Sequence, residues 1–267
     1  MFLYPKGSSS GAIAIPQASH AWLGWQVAQH WGNRRFARPA PRAEVMAAVM
    51  LHDVGWTEFD LDPGIDDRGR PVTFDRMPVA EHLEIWRSSV QRAAAFSRYA
   101  GLMVAHHFVR LVENKTSDLL ERGDTVSGRA AEAFRAEMDR LQEGWRESLV
   151  QDPRYAPFLD GEGWRINTGL LAACDRLSVY LCAALGSPFT LSGRTAQGGA
   201  EEIRATNVGG ERWRVQPWPL EGDRLKLQVE GRLLGATRFG SREEARHALA
   251  RAPSVRLNFV LVRPSAG

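Results

Sequence analysis

Leu51-His52-Asp53-Val54-Gly55 sets an imidazole and a carboxylate side by side where an apolar run ends. That run opens at Pro41 and carries Val45, Val49 and His52 on one helical face, with Gly55 closing it. Alone, a His-Asp pair means little. Its weight comes from what flanks it. His20 shares a stripe with Leu23, Val27 and Trp31 on a predicted helix from Pro16 to Trp31. His82 lies with Val79, Trp86 and Val90 on one that begins at Pro78, and His106 and His107 lie among Leu102, Met103 and Val109 on one that begins near Tyr99. A predicted helix with Phe134, Met138, Leu141, Trp145 and Leu149 in register serves packing. Another, from Ile166 to Leu185, is apolar nearly all round and still holds Asp175.

A single histidine on a core face is ordinarily a hydrogen-bonded core residue. Five of the chain's seven histidines fall on such faces, together with Asp53 and Asp175. Burying that set without shared partners costs roughly 1–3 kcal/mol for every unsatisfied polar group, and more for each charge. A metal ion removes the cost, because neutral imidazole nitrogens and ionised carboxylates become its ligands.

The order His20, His52-Asp53, His82, His106-His107, Asp175 resembles the HD superfamily of metal-dependent phosphohydrolases, whose signature H…HD…H…H…D is carried on a helical bundle. The resemblance spans residues 14 to 187 and is nearest to a branch of domains of unknown function. It implies a mainly α fold, an HD-type helical bundle. It also implies one metal held by His20, His52, Asp53 and Asp175, and a second held by Asp53 as a bridge, His82 and His106, with His107 as a ligand or a neighbour. Adjacent helical residues point about 100° apart, so His106 and His107 cannot both face one ion. Nitrogen-rich ligation suits two divalent transition-metal ions, iron or manganese first and zinc after them. Two such ions about 3.5–4 Å apart activate a water for attack on a phosphoester. The implied function is hydrolysis of a small phosphoester or nucleotide-like metabolite, with His52 and Asp53 at the catalytic centre. Dinuclear-iron oxygenases related to myo-inositol oxygenase share the ligand order and give a second reading. A non-catalytic binding or sensor protein stabilised by its metal is the third.

The chain departs from that pattern at one position. Many HD enzymes follow H-D-x-G with lysine, where Trp56 stands here. Arg110, one turn beyond His106, is the candidate replacement cation, with Arg87 and Lys115 behind it. Neither the G-Y-P signature nor the H-H-E of cyclic-dinucleotide hydrolases is present, since this chain reads His106-His107-Phe108. Gln17, one turn before His20, and Trp56 are assigned to the substrate pocket. The segment from Thr57 to Pro78, with Asp60, Asp62, Asp66, Asp67 and Asp75, reads as a solvated acidic loop over the pocket, without calcium-loop spacing.

Further out, the 267 residues are 44% hydrophobic and 24% charged, which suits an ordinary globular domain with a modest appendage. After Gly186-Ser187-Pro188 the pattern turns to alternation over Arg212–Trp218, Leu225–Val229 and Val255–Val262, with a short helix from Ser241 to Ala250. The expected division is a metal-binding helical domain over 1–187 and a small antiparallel β-rich element over 188–267, α+β overall. A net charge of +3 without a dense Lys/Arg cluster argues against a nucleic-acid polymer as partner. No apolar run reaches the roughly 18 residues of a membrane span, and Met1 to Pro16 lacks the features of an export signal. Cys174 and Cys182 would sit about 12 Å apart on one helix, too far to bridge. These features place the chain in the cytoplasm with a small-molecule substrate, and leave homo-oligomerisation open.

Overall fold

Three prolines stand immediately before helices, and each offers its carbonyl to the first helical turn. Pro16 accepts from the His20 N–H ahead of α1 (Gln17–Gln29), and Pro41 from the Val45 N–H ahead of α2 (Arg42–Leu51). After the short α3 (Thr57–Leu61), Pro78 accepts from the His82 N–H ahead of α4 (Val79–Phe96). Side chains take the same role later. Ser97 caps α5 (Arg98–Glu121), Asp124 caps α6 (Thr125–Leu149), and α7 (Gly161–Cys182) follows. The computed structural model describes residues 1–5 and 11–264.

The apolar girth of α7 has a structural cause, since α1, α2, α5 and the strand β3 (Phe189–Arg194) all pack against it. Helices α1 and α7 come closest at Gly24, where an added Cβ would lie 3.3 Å from the Cys174 carbonyl oxygen. This approach puts His20, one turn from Gly24, beside Asp175 and Ser178. Gly55 brings the turn after His52-Asp53 equally close to α4, because a Cβ there would lie 2.3 Å from the Ile85 carbonyl oxygen. The Gly55 N–H also donates to Ser89 Oγ at 2.9 Å.

The expectation of a mainly α bundle with a small C-terminal β element is corrected by the sheet. About 51% of the chain is helical and 21% is strand, and the strands form one curled seven-stranded mixed sheet. Two of them precede the helices: β1 (Phe2–Pro5) and β2 (Ala12–Ile15). The rest are β3, β4 (Ala200–Gly209), β5 (Arg212–Gln216), β6 (Arg224–Leu234) and, after α8 (Arg242–Arg251), β7 (Ser254–Val262). The order is β1-β2-β6-β7-β5-β4-β3, antiparallel throughout except for the parallel pair β5 and β7. β2 pairs with β6 in the register Ala12 to Leu234, which ties the start of the chain to its last third. Leu225, Leu227 and Val229 of β6 turn inward, and α1 packs on that strand. One continuous core joins helices and sheet, from Leu23 and Phe108 to Ile203 and Leu261.

Two features hid the sheet in the sequence. The Ala-Ile-Ala-Ile of β2 is buried at every position, so it lacks the alternation that marks a half-exposed strand. β4 buries only Ile203 and Ala205, and reads as a polar stretch.

Candidate metal centre

Helix α1 supplies His20, the end of α2 supplies His52, the turn after it Asp53, and α7 Asp175. All four side chains are largely withdrawn from solvent, with the two histidines at 0% and 1% exposure. His20 Nε2 lies 2.8 Å from Asp53 Oδ2 and 4.0 Å from Asp175 Oδ1. His52 Nε2 lies 3.3 Å from Asp175 Oδ1 and 3.7 Å from Asp53 Oδ2. One ligand atom from each of His20, His52 and Asp175 falls within 4.8 Å of the others.

Hydrogen bonds on the far side of each ring decide what these nitrogens offer. Ser178 Oγ donates its own proton to the Asp175 carbonyl at 2.9 Å, so it accepts from His20 Nδ1, also at 2.9 Å. The carbonyl of Val49 can only accept, and it takes the proton of His52 Nδ1 at 2.8 Å. When neutral, each ring therefore carries its hydrogen on Nδ1 and turns a bare Nε2 lone pair toward carboxylates. This orientation is how proteins fix imidazoles as metal ligands. His52 Nε2 and His107 Nε2 are buried without a hydrogen-bond partner, two orphaned atoms that a cation would satisfy.

Charges within the cluster shift its proton affinities. Burial opposes a charge on His52, but Asp53 and Asp175 outweigh it and raise its pKa to about 9. Burial likewise opposes the charge on Asp175, yet the nearness of His107 and His52 holds it well below the usual carboxylate range. Asp53 is lowered too, with burial opposing and His52 and His20 prevailing.

The other predicted site residues separate. His107 joins the cluster, its Nε2 3.5 Å from Asp175 Oδ2 and its ring 5.6 Å from that of His52. His106 does not. Its ring sits 5.2 Å from Trp164, and burial together with Arg146 lowers its pKa to about 4. The helical offset of about 100° between neighbours turns His107 toward the cluster and His106 toward Trp164. His82 is set apart from the carboxylates, its Nδ1 3.3 Å from Lys115 Nζ and its ring against Trp56 and Trp86. Burial, then Lys115, lowers it to about 3. Arg110, the expected replacement cation, is exposed and pairs with Glu113, while Arg87 is held by Glu137 and Glu84.

A cavity of about 500 Å³ opens onto the cluster, lined by His52, Asp53, His107 and Asp175 at one part and by His82 and Lys115 at another. Gln17 and Trp56 line it as well, and Gln17 Oε1 is a further buried atom without a partner. Phe74 and Asp75 bring the loop before α4 to the same cavity. The segment expected as a solvated loop from Thr57 instead begins with α3 (Thr57–Leu61). Asp60 is buried, accepts the Gln17 N–H at 2.5 Å, and has a raised pKa because of its burial. A larger groove of about 790 Å³ beside Trp218 holds no such orphaned atoms, and its Arg35 and Arg263 are paired with Glu201 and Asp223. Ser178 was not anticipated, although its position three residues after Asp175 places it on the same helical face.

Fold and cluster together define a class: an α+β protein whose helices converge buried histidines and aspartates beneath a curled sheet. The chain belongs to a family of proteins of unknown function, DUF3891, whose model matches residues 6–236. The matched span takes in every residue of the cluster and the strands β2 through β6, so the sheet belongs to the family unit. No curated protein and no solved structure matches the chain. Among the described residues, no helix is long and apolar enough to cross a membrane.

Proposed function

We propose that this chain is a metal-dependent phosphohydrolase of the HD type, acting in the cytoplasm on a small phosphoester. The observation that carries the reading is the pair of fixed tautomers, with Ser178 and Val49 holding His20 and His52 so that both Nε2 lone pairs meet Asp53 and Asp175. Two lone pairs and two carboxylates turned toward one point are the donor set a divalent cation requires.

His20, His52, Asp53 and Asp175 would hold the first ion. A second ion would take His107, rather than His106, as a histidine donor beside Asp175. Bound transition metal supplies Lewis acidity and lowers the pKa of water toward neutrality. The chain's own part is to keep the donors dry and aligned. Ser178 and Val49 prevent the imidazoles from turning, and Trp56 and Phe108 wall the cavity against bulk water.

The test is turnover of p-nitrophenyl phosphate by protein loaded with manganese or iron, with and without dioxygen. Hydrolysis that persists anaerobically and stops on chelation is expected. Absence of turnover in loaded protein, or oxygen uptake in its place, overturns the reading; the second result is the signature of an oxygenase.

A further inference from the structure

Lys115 is a cation without a counter-ion. It lines the cavity from α5, is half-buried, and among the described residues has no carboxylate within ion-pair distance. Arg87 is matched by Glu137 and Arg194 by Glu162, while Arg176, the other cation lining the cavity, donates to the Thr190 carbonyl and the Tyr180 hydroxyl. The one polar neighbour of Lys115 is His82 Nδ1, at 3.3 Å. An ammonium can only donate, so Nδ1 accepts, and the ring proton of His82 resides on Nε2. The pair therefore brings to the cavity an Nε2–H and the remaining Lys115 N–H groups, donors that are hydrogen-bonded to no acceptor among the described residues, although Asp53, Asp75 and Asp175 line other parts of the same cavity. A partly buried charge and unmatched donors are costly unless a ligand completes them.

The surroundings narrow what that ligand is. His82 is flanked by Trp56, 5.0 Å away between ring centroids, and Trp86, at 4.4 Å, while Trp86 stacks on Phe108 at 4.8 Å. These walls suit a flat apolar group.

We propose that Lys115 and His82 form the anion-binding end of the cavity, and that the substrate is a small phosphate monoester carrying a flat, apolar group. This rests on the phosphohydrolase reading and removes His82 from the metal ligands. A charge-assisted donor pair recognises phosphate oxygens, and the aromatic walls take up the leaving alcohol.

Phenyl phosphate is the probe, titrated into metal-loaded protein by tryptophan fluorescence, with phenol as its neutral counterpart. Lys115→Met is expected to weaken phenyl phosphate binding about tenfold or more and to leave phenol within about twofold, while Lys115→Arg restores most of the affinity. His82→Gln, which keeps an N–H donor, is expected to retain the full metal content. The proposal is overturned if the parent does not bind phenyl phosphate, if Lys115→Met binds it as the parent does, if phenol binding falls in parallel, or if His82→Gln loses metal. Lysine-dependent binding without hydrolysis supports the anion site and overturns the phosphohydrolase reading. Hydrolysis of phenyl phosphate by a Lys115→Met variant with unchanged affinity does the reverse.

Discussion

His106 and His107 show how much one residue of helix decides. Both lie in an apolar stretch, and their adjacency tells that only one can face a given point; which one depends on what α5 packs against, and the sequence does not contain that. His107→Gln is expected to lower metal affinity about 10–100-fold, whereas His106→Gln leaves it unchanged, as equilibrium titration with manganese will read. The two kinds of histidine also act oppositely on stability. His106 and His82 are held neutral, at about 4 and about 3 against an ordinary 6.5. Unfolding lets them take protons, so their contribution is present above pH 6.5 and lost as the pH falls through that window. His52 is raised to about 9 in the metal-free chain, so its contribution is complete below 6.5 and lost as the pH rises toward 9. Thermal melts of chelator-treated protein should therefore decline on both sides of neutrality. In His106→Gln the acid-side decline between pH 6.5 and 4 should be shallower, with the alkaline side unchanged.

Among the elements carrying the cluster, α1 and α2 were readable because prolines mark their starts, and α5 and α7 because of their apolar runs. The strands were less so, since a wholly buried Ala-Ile-Ala-Ile and a mostly polar β4 give no period of two. The turn that joins α2 to α3 depends on Gly55, which allows α4 to pass against its backbone. Gly55→Ala places a methyl group against the Ile85 carbonyl and the Ser89 N–H, both main-chain atoms that cannot swing aside. A loss of about 1–3 kcal/mol in urea unfolding is expected, with weaker metal binding because His52 and Asp53 lie just before that turn. Unchanged stability and metal affinity would show that the packing of α4 does not position the pair.

Taken as a whole, the molecule joins its first residues to its last strands. β2 pairs with β6, α1 rests on β6, and α7 rests on β3, so the helical portion has no complete core of its own. A fragment ending at residue 187 would expose Ile15, Leu177 and Leu181, and is expected to be insoluble or molten. The full chain should unfold in one transition by calorimetry. The histidine and aspartate positions were legible because burying so many polar groups demanded a shared partner. Lys115 stood behind Arg110 among the candidate cations, because nothing in its local sequence shows that α5 brings it to His82. The central claim is that His20, His52, Asp53 and Asp175 share a cation, and metal analysis of the purified protein beside His52→Ala and Asp175→Asn tests it most directly. The parent should retain transition metal through desalting, and each variant should keep less than about one-tenth of it with the helical circular dichroism intact. A parent free of bound metal after reconstitution, or variants that hold as much as the parent, would contradict it.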